Sequence, residues 1–581
     1  MPTRSSRLAG AARVAAVAAA ACVTSVAQAA RDATYTGAVA RIVERHCIAC
    51  HGPGAGPVSG SLASYEDLRA RATEVLSAVE RGAMPPWPLD PSRSLPMRND
   101  PRLSAAETDA LRAWVARGMP RGDGVPRQIS PAGEWADPRH RPPDAVVALP
   151  PIPVPATGEL PYMQVLIKVP FADDRWIGAL QPLAGNLSVV HHMGIAEVHM
   201  PPGVGVQTVH DLQDVARRLG LAGVPLATPA VVDASFSGDY DMLAAYTPGG
   251  GFESYPEDTG KLLKGGEGYY ISFNVHYTTN GTATTDQSRL GLWFRKSPPA
   301  RQIFRTPSAG RTILAQGRLL FPDDPGSKAE GMDVAIPPIP PNDDNYEIIG
   351  ITAYDRPVTL YSLQPHAHLR AKDFRYDVIY PDGALRTLLA IPRYDYHWQL
   401  NYLFATPLDV PAGAKLVVTA HYDNSAANKH LREYSSSNPA ARCGPDRYAY
   451  FRSQNQTWDE MFSPLVQYAA LPRPVEPVAA RAPLQMIAVQ GCLVPAGESG
   501  WALRRALPLG ASKTAAITRE ELGKMMISRG EASYRLIGLD PLNPQSSRGR
   551  TVLVKGLGLP GTPTESINVT AIYPIAETCE P

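Results

Sequence analysis

A mainly β, multidomain protein with one small helical domain near its start is the fold class this sequence predicts, on three observations. The chain of 581 residues is too long for a single hydrophobic core. Its 58 prolines and 48 glycines punctuate short alternating apolar runs, the pattern of strands joined by turns. Helix-like periodicity is confined to a few stretches, chiefly between Gly37 and Trp114. With 44% hydrophobic and 19% charged residues the composition is globular, and a formal net charge of +1 offers no electrostatic basis for binding nucleic acid.

The first segment predicts the compartment. Arg4, Arg7 and Arg13 flank or precede the apolar run Val14 to Val23, and Ala27-Gln-Ala29 supplies a small-residue cleavage site. Residues 1–29 therefore read as a secretory signal peptide, with a mature chain from Ala30. Lipid attachment at Cys22 is the weaker alternative, because Ala19 stands where a larger aliphatic is usual. No later run reaches the roughly 20 apolar residues that a membrane span requires. The expectation is a periplasmic protein with no transmembrane segment.

Arg45-His-Cys47-Ile-Ala-Cys50-His51 follows and carries Cys-x-x-Cys-His, the attachment pattern of c-type haem. The spacing lets the Cys47 and Cys50 thiols bond the porphyrin edge while His51 ligates the iron from one side. A zinc site would need a second ligand pair nearby, and no cysteine lies between residues 51 and 442. Met84, in Gly82-Ala-Met-Pro-Pro-Trp87, is the first candidate for the sixth iron ligand, and Met97 is the alternative. Helices are expected over Gly37 to Arg45, over Tyr65 to Arg81, and over a terminal stretch capped by Ser104 with Glu107 as its capping-box partner. A methionine fixed by two prolines after such a helix resembles the short class I cytochromes c, which implies His/Met ligation and a raised iron potential. Residues 30–124 are thus expected to form a one-haem electron carrier, and the Pro- and Arg-rich residues 125–155 a semi-extended linker.

From Leu160 the pattern turns to strands. His191-His192-Met193 places two imidazoles on adjacent residues, which face opposite ways on a regular strand. Holding one ion between them requires a bulge, a strong twist or the strand's end; the alternative is one buried and one exposed histidine. His276 closes the polar face of Tyr269 to Tyr277, which suits a ligand at a solvent-reachable cleft and equally an ordinary exposed face. In Tyr361-Ser-Leu-Gln-Pro-His-Ala-His-Leu369, alternation puts Ser362, Gln364, His366 and His368 on one side. Two neutral imidazoles so spaced suit copper or zinc. Met461, in Thr457-Trp-Asp-Glu-Met461, would by itself more often be core filler.

The ordered set of His-His-Met, a single strand histidine, His-x-His and then a methionine resembles the copper type II monooxygenases, the family of the peptidylglycine- and dopamine-hydroxylating enzymes, over residues 155 to 470. The resemblance implies two jelly-roll-like β-sandwich copper domains, 156–300 and 301–475, and two copper ions. One, on His191, His192 and His276, would pass electrons. The other, on His366, His368 and Met461, would bind dioxygen, the soft thioether favouring Cu(I). The implied activity is hydroxylation of a C–H bond of a small organic substrate, with O2 as co-substrate. Electrons would come from a periplasmic donor through the single covalent haem c. Two departures stand out: the animal enzymes are rich in disulfides and use ascorbate, and the peptide-amidating member has an arginine where this chain has Gln364, so a peptide carboxylate substrate is not expected. The alternative reading is an electron-transfer or copper-handling protein without hydroxylase activity.

His199, His210, His397, His421 and His430 carry no such pattern and read as surface or structural groups. The polar stretch between Tyr422 and Trp458, with Cys443, reads as a long loop. Five short β patterns over residues 484–581 predict a small β-barrel of the OB type without histidine, and Cys492 and Cys579 bracket it as either a disulfide or two thiols.

Overall fold

The computed structural model describes residues 33–52, 60–124, 135–158, 160, 163–199, 242–307, 312–323, 338–437, 444–449, 457, 460–470, 483–497, 500–561 and 565–579. The signal-peptide reading of residues 1–29, Cys22, His210 and Cys443 lie outside them. The protein is mostly β, with 41% strand against 15% helix. No helix among the described residues is long and apolar enough to cross a membrane. The chain divides into two compact units, one of residues up to Trp87 with Asp100–Pro138, the other of Pro88–Asn99 with everything from Arg139.

The smaller unit is helical. A π-helical turn, Tyr35–Val39, begins where the Thr34 hydroxyl accepts the Gly37 N–H at 3.1 Å, and runs into α1 (Ala40–His46). Cys47 caps α1 and starts α2 (Ile48–His51). In α3 (Tyr65–Glu80), Ser64 accepts the Asp67 N–H at 3.0 Å, and Glu66 and Asp67 in the first turn complement the positive end of the helix dipole. The capping box expected at the last helix is present: α4 (Ala105–Ala116) has Ser104 as N-cap and Glu107 bonded back to it. The one-sided apolar stripes of these helices meet in a core of Tyr35, Val39, Val43, Leu68, Leu111 and Trp114.

The larger unit carries three main sheets and a barrel. A four-stranded sheet runs in the order Met163–Lys168, Tyr269–Tyr277, Val190–His199, Met242–Tyr246, with Val190–His199 named β1 and Tyr269–Tyr277 named β2. A nine-stranded sheet contains Val358–Gln364 (β3) beside Leu465–Ala470 (β4). A six-stranded sheet includes Tyr346–Ala353, Lys415–Tyr422 and Ala371–Ile379 side by side. Five strands between Met486 and Ala576 close the expected small barrel, and Cys492 and Cys579 are joined in a disulfide across 87 residues of chain.

Two expectations about boundaries are corrected. The stretch read as a linker, 125–155, supplies strands: Ala145–Ala148 pairs with Arg289–Phe294, and Ile152–Val154 with Thr284–Asp286. The division at residue 300 is not a break either. Arg301–Pro307 lies parallel to Thr259–Leu263 and antiparallel to β4, so both expected halves feed one nine-stranded sheet. The barrel likewise shares apolar core with the six-stranded sheet, Ile349, Ile379 and Val417 meeting Val489, Trp501 and Ile567. Lys415 enters that contact, its ammonium donating to the Gly538 carbonyl at 2.6 Å, and burial pushes its pKa down to about 7.

On the same strand His421 faces a carboxylate on each neighbouring strand, Asp373 at 2.7 Å and Glu347 at 3.5 Å. The hydrogen bonds to Asp373 and then Glu347 lift the imidazole to about 9. Because the folded value lies above the unfolded one of about 6.5, the added stability is complete below pH 6.5 and is lost as pH rises through 9. Lys415, whose folded pKa is depressed, contributes in the opposite sense over the same range, so the His421 contribution is read as a difference: in urea titrations the stability gap between wild type and His421→Gln should narrow by on the order of 2–3 kcal/mol between those pH values. A gap that stays constant would remove His421 as a source of pH dependence.

Candidate metal centres

In the helical unit, the one-residue joint between α1 and α2 winds Cys47, Cys50 and His51 into a single turn, the N–H groups of Cys50 and His51 both bonding to the Cys47 carbonyl at 3.2 and 2.8 Å. Both thiols are unoxidised, and burial raises them, Cys47 to about 12 and Cys50 to about 11. His51 Nδ1 donates to the Gly60 carbonyl at 3.0 Å, which places the proton on Nδ1 and makes Nε2 the lone-pair nitrogen. That is the tautomer an iron ligand needs. Met84 is half-buried just past α3, its N–H bonded to the Ala78 carbonyl at 3.2 Å. The alternative, Met97, belongs to the larger unit, where its backbone pairs with Phe404.

In the larger unit, the adjacent histidines reach one side by the device their spacing demands. The register of β1 against β2 slips between Val190 and His192, a β-bulge with His191 as the extra residue, and His192 then stands directly opposite His276. The His191 and His192 Nδ1 atoms are 2.9 Å apart, and the ligand atoms of His191, His192 and His276 all lie within 4.8 Å of one another. His276 is buried at 5% exposure rather than facing an open cleft. Thr457 Oγ1 engages its Nε2 at 3.0 Å, which assigns the metal-facing role to Nδ1. The His191 Nε2 is buried with no hydrogen-bond partner. Burial pushes His191 down to about 3 and, with the neighbouring imidazoles, holds His192 and His276 well below their usual value. Three neutral nitrogen donors are therefore in place at any pH near neutrality.

The second set departs from the expected strand. β3 ends at Gln364, and residues 365–368 continue without ladder bonds, so His366 and His368 stand beyond the sheet. Pro365 has no N–H to offer, and the facing chain reaches Pro464 one residue past the last pair, Gln364 with Leu465. In place of a ladder the segment is held by a buried carboxylate. Glu460 Oε1 accepts the N–H of His368 at 2.7 Å and of Met461 at 3.0 Å, and Oε2 accepts that of Arg370 at 2.9 Å. The Ser463 N–H adds a bond to the His366 carbonyl at 3.0 Å. Thus the peptide bearing Met461, itself 4% exposed, is fastened to the His-x-His peptide at three points, and the Met461 N–H bond to Glu460 braces its own side. His366 Nδ1 lies 2.5 Å from Gln399 Oε1, while Gln399 Nε2 donates to the Tyr396 carbonyl at 3.0 Å, so His366 turns Nε2 to any ion. Gln364 Nε2 donates to the Gln399 carbonyl at 3.2 Å. Burial takes His366 down to about 4.

The two sets meet. The His192 and His366 rings are 5.9 Å apart between centroids, and His366 and His368 5.6 Å, so five histidines from three chain segments form one continuous cluster. A further group lies against it. Asp395, His397 and His430 offer ligand atoms within 4.8 Å of one another, and the His397 ring is 5.6 Å from that of His191. His397 and His430, expected as surface or structural groups, are therefore neighbours of the first set. Burial lowers His430.

Glu460, Gln399, Thr457 and Asp395 escaped the reading of the sequence. Only Glu460 carried a local signal, as the neighbour of Met461, and an acidic residue there reads as exposed loop until its burial is seen. No protein-family model matches this chain, and no characterised protein matches it significantly.

Proposed function

We propose that this protein is an exported copper-dependent monooxygenase fed by its own c-type haem, resembling the copper type II family. In this reading the helical unit is a class I cytochrome c, and the strands that bear the histidines derive from two jelly-roll-like halves. The observation that carries the proposal is the convergence of His191, His192, His276, His366 and His368, with Met461 fastened beside the last two by Glu460. Five donors are imidazoles and the sixth a thioether, a set that suits a metal cycling between Cu(I) and Cu(II). When bound, copper would supply one-electron redox chemistry and the activation of O2, and haem c would supply electrons one at a time.

The chain's own residues do the positioning. Cys47 and Cys50 would anchor the porphyrin, and His51, oriented by Gly60, and Met84 would ligate iron. His191, His192 and His276 would hold the electron-transfer copper, and burial keeps them unprotonated. Gln399 sets the His366 tautomer, and Glu460 fixes the approach of Met461. Gln364, tied to Gln399, presents no cation, so the substrate is a small organic molecule without a carboxylate anchor at this position.

Full-length protein matured with haem and loaded anaerobically with Cu(I) should contain two coppers for each haem iron, measured by elemental analysis. Ferrous haem in that protein should reoxidise faster in oxygen than in the copper-free form. Iron without copper would reduce the histidines to a structural cluster. Two coppers with oxygen uptake that no organic compound accelerates would favour an electron-transfer or copper-handling protein.

A further inference from the structure

We propose that Asp395, His397 and His430 form a third metal site, open to solvent and suited to a borderline divalent ion such as Zn(II) or Cu(II). It is built from side chains that the copper reading does not use, so the two stand or fall separately.

Three elements bring the residues together. Asp395 and His397 lie in the loop after the strand Leu385–Ile391, where Asp395 Oδ1 accepts the His397 N–H at 3.0 Å in a tight local turn. His430 is the second residue of helix α5 (Lys429–Ser437), which the Asn428 side chain caps by accepting the N–H groups of His430 at 3.0 Å and Leu431 at 3.2 Å. Asn428 Nδ2 also donates to the Leu369 carbonyl at 3.0 Å, so the start of α5 is fixed to the turn that follows His368.

The His430 donor stands at an ion's spacing from Asp395, and the His397 donor, now hydrogen-bonded to the same oxygen, needs to withdraw by about half an ångström. Asp395 Oδ1 stands 2.9 Å from His397 Nδ1 and 3.5 Å from His430 Nε2. Donors bonded to one tetrahedral ion at about 2.0–2.2 Å sit roughly 3.3–3.5 Å apart. His430 is 8% exposed, and its Nδ1 is buried without a hydrogen-bond partner. One carboxylate and two imidazoles favour borderline divalent ions over Ca(II) or Mg(II), which prefer all-oxygen shells, and over Cu(I), which prefers softer donors. Side-chain exposures of 41% for His397 and 25% for Asp395 leave the ion's remaining positions to water. Lys429, whose ammonium is 3.6 Å from Asp395 Oδ2, is the competing cation, and its 63% exposed side chain can withdraw into solvent.

An ion here would join α5 to the loop that carries Tyr396 and Gln399. Gln399 orients His366, so occupancy of the outer site stiffens the support of the second ligand set.

The deciding experiment is equilibrium dialysis of the full-length, haem-loaded protein against Zn(II), with bound metal counted by elemental analysis. It compares wild type with an Asp395→Asn/His397→Gln double variant. The variant should bind one ion fewer per chain than wild type, whatever the wild-type total. Equal numbers would overturn the proposal. Whether the five-histidine cluster holds copper is read separately, from the copper-to-iron ratio, so either proposal can fail alone. His397→Gln alone, at an exposed ring that folding tolerates, should weaken the outermost binding step about tenfold or more. Should the double variant fail to fold by circular dichroism, an unchanged affinity in the single variant overturns the site.

Discussion

Glu460→Ala should cost about 3–5 kcal/mol of stability and abolish metal binding at the second ligand set, while leaving the haem spectrum as it was. Glu460 is 0% exposed and sits by Arg370, which is 1% exposed. Burial raises the carboxyl, to about 7, against the pull of Arg370 and of the three backbone N–H groups it accepts. Truncating it strands those donors and removes the buried carboxyl beside the Arg370 guanidinium, which also bonds Asn424 Oδ1 at 2.7 Å. Each stranded buried donor costs about 1–3 kcal/mol on its own. Glu460→Gln keeps the shape and one accepting oxygen but turns the other into a donor facing an N–H, so an intermediate loss is expected. Guanidinium titration monitored by tryptophan fluorescence measures the stability, and competition with a Cu(I) chelator measures the site. A Glu460→Ala protein as stable as wild type and still holding two coppers would show that the His-x-His and Met461 peptides need no such fastening.

The contrast between legible and illegible features follows the range of the interactions. Capping at Ser104 and Glu107 is settled within one helical turn, so four residues suffice to read it. The bulge at His191 was equally readable, because adjacent side chains on a strand oppose one another and two ligands on one ion cannot. The end of β3 at Gln364 had a signal that alternation masked: Pro365 interrupts the ladder while the apolar-polar period runs on to Leu369. What could not be read is register between distant strands. Nothing in Ala145–Ala148 announces a partner at Arg289–Phe294, and nothing in Arg301–Pro307 announces Leu465–Ala470, so a linker and a domain boundary were expected where one sheet is continuous. The meeting of Asp395 and His397 with His430 is of the same kind, since it depends on where α5 docks.

Met461→Ala should remove the copper-dependent acceleration of haem reoxidation and weaken Cu(I) binding at the second set by about tenfold or more, with Cu(II) affinity little changed. The physical ground is ligand softness: with Met461 gone, His366 and His368 remain as two nitrogen donors, adequate for Cu(II) and poor at discriminating in favour of the reduced ion. Met461→His, which restores a third donor but a harder one, should recover copper content without recovering the rate. The pairing of those results separates a thioether that tunes the metal from one that merely fills space, since Met461 is buried and its loss also opens a cavity. A Met461→Leu variant fills that cavity without a sulfur, and full activity in it would assign Met461 to packing. The first set should feel the change as well. With the His192 and His366 rings 5.9 Å apart, two bound cations repel across a short, water-poor gap, so emptying the second set should tighten binding at the first. Anaerobic Cu(I) titration of Met461→Ala, followed by competition with a Cu(I) chelator, should accordingly show the three-histidine set filling at lower free copper than in wild type. Independent filling would mean that the ligand sets, though their rings touch, do not share a field.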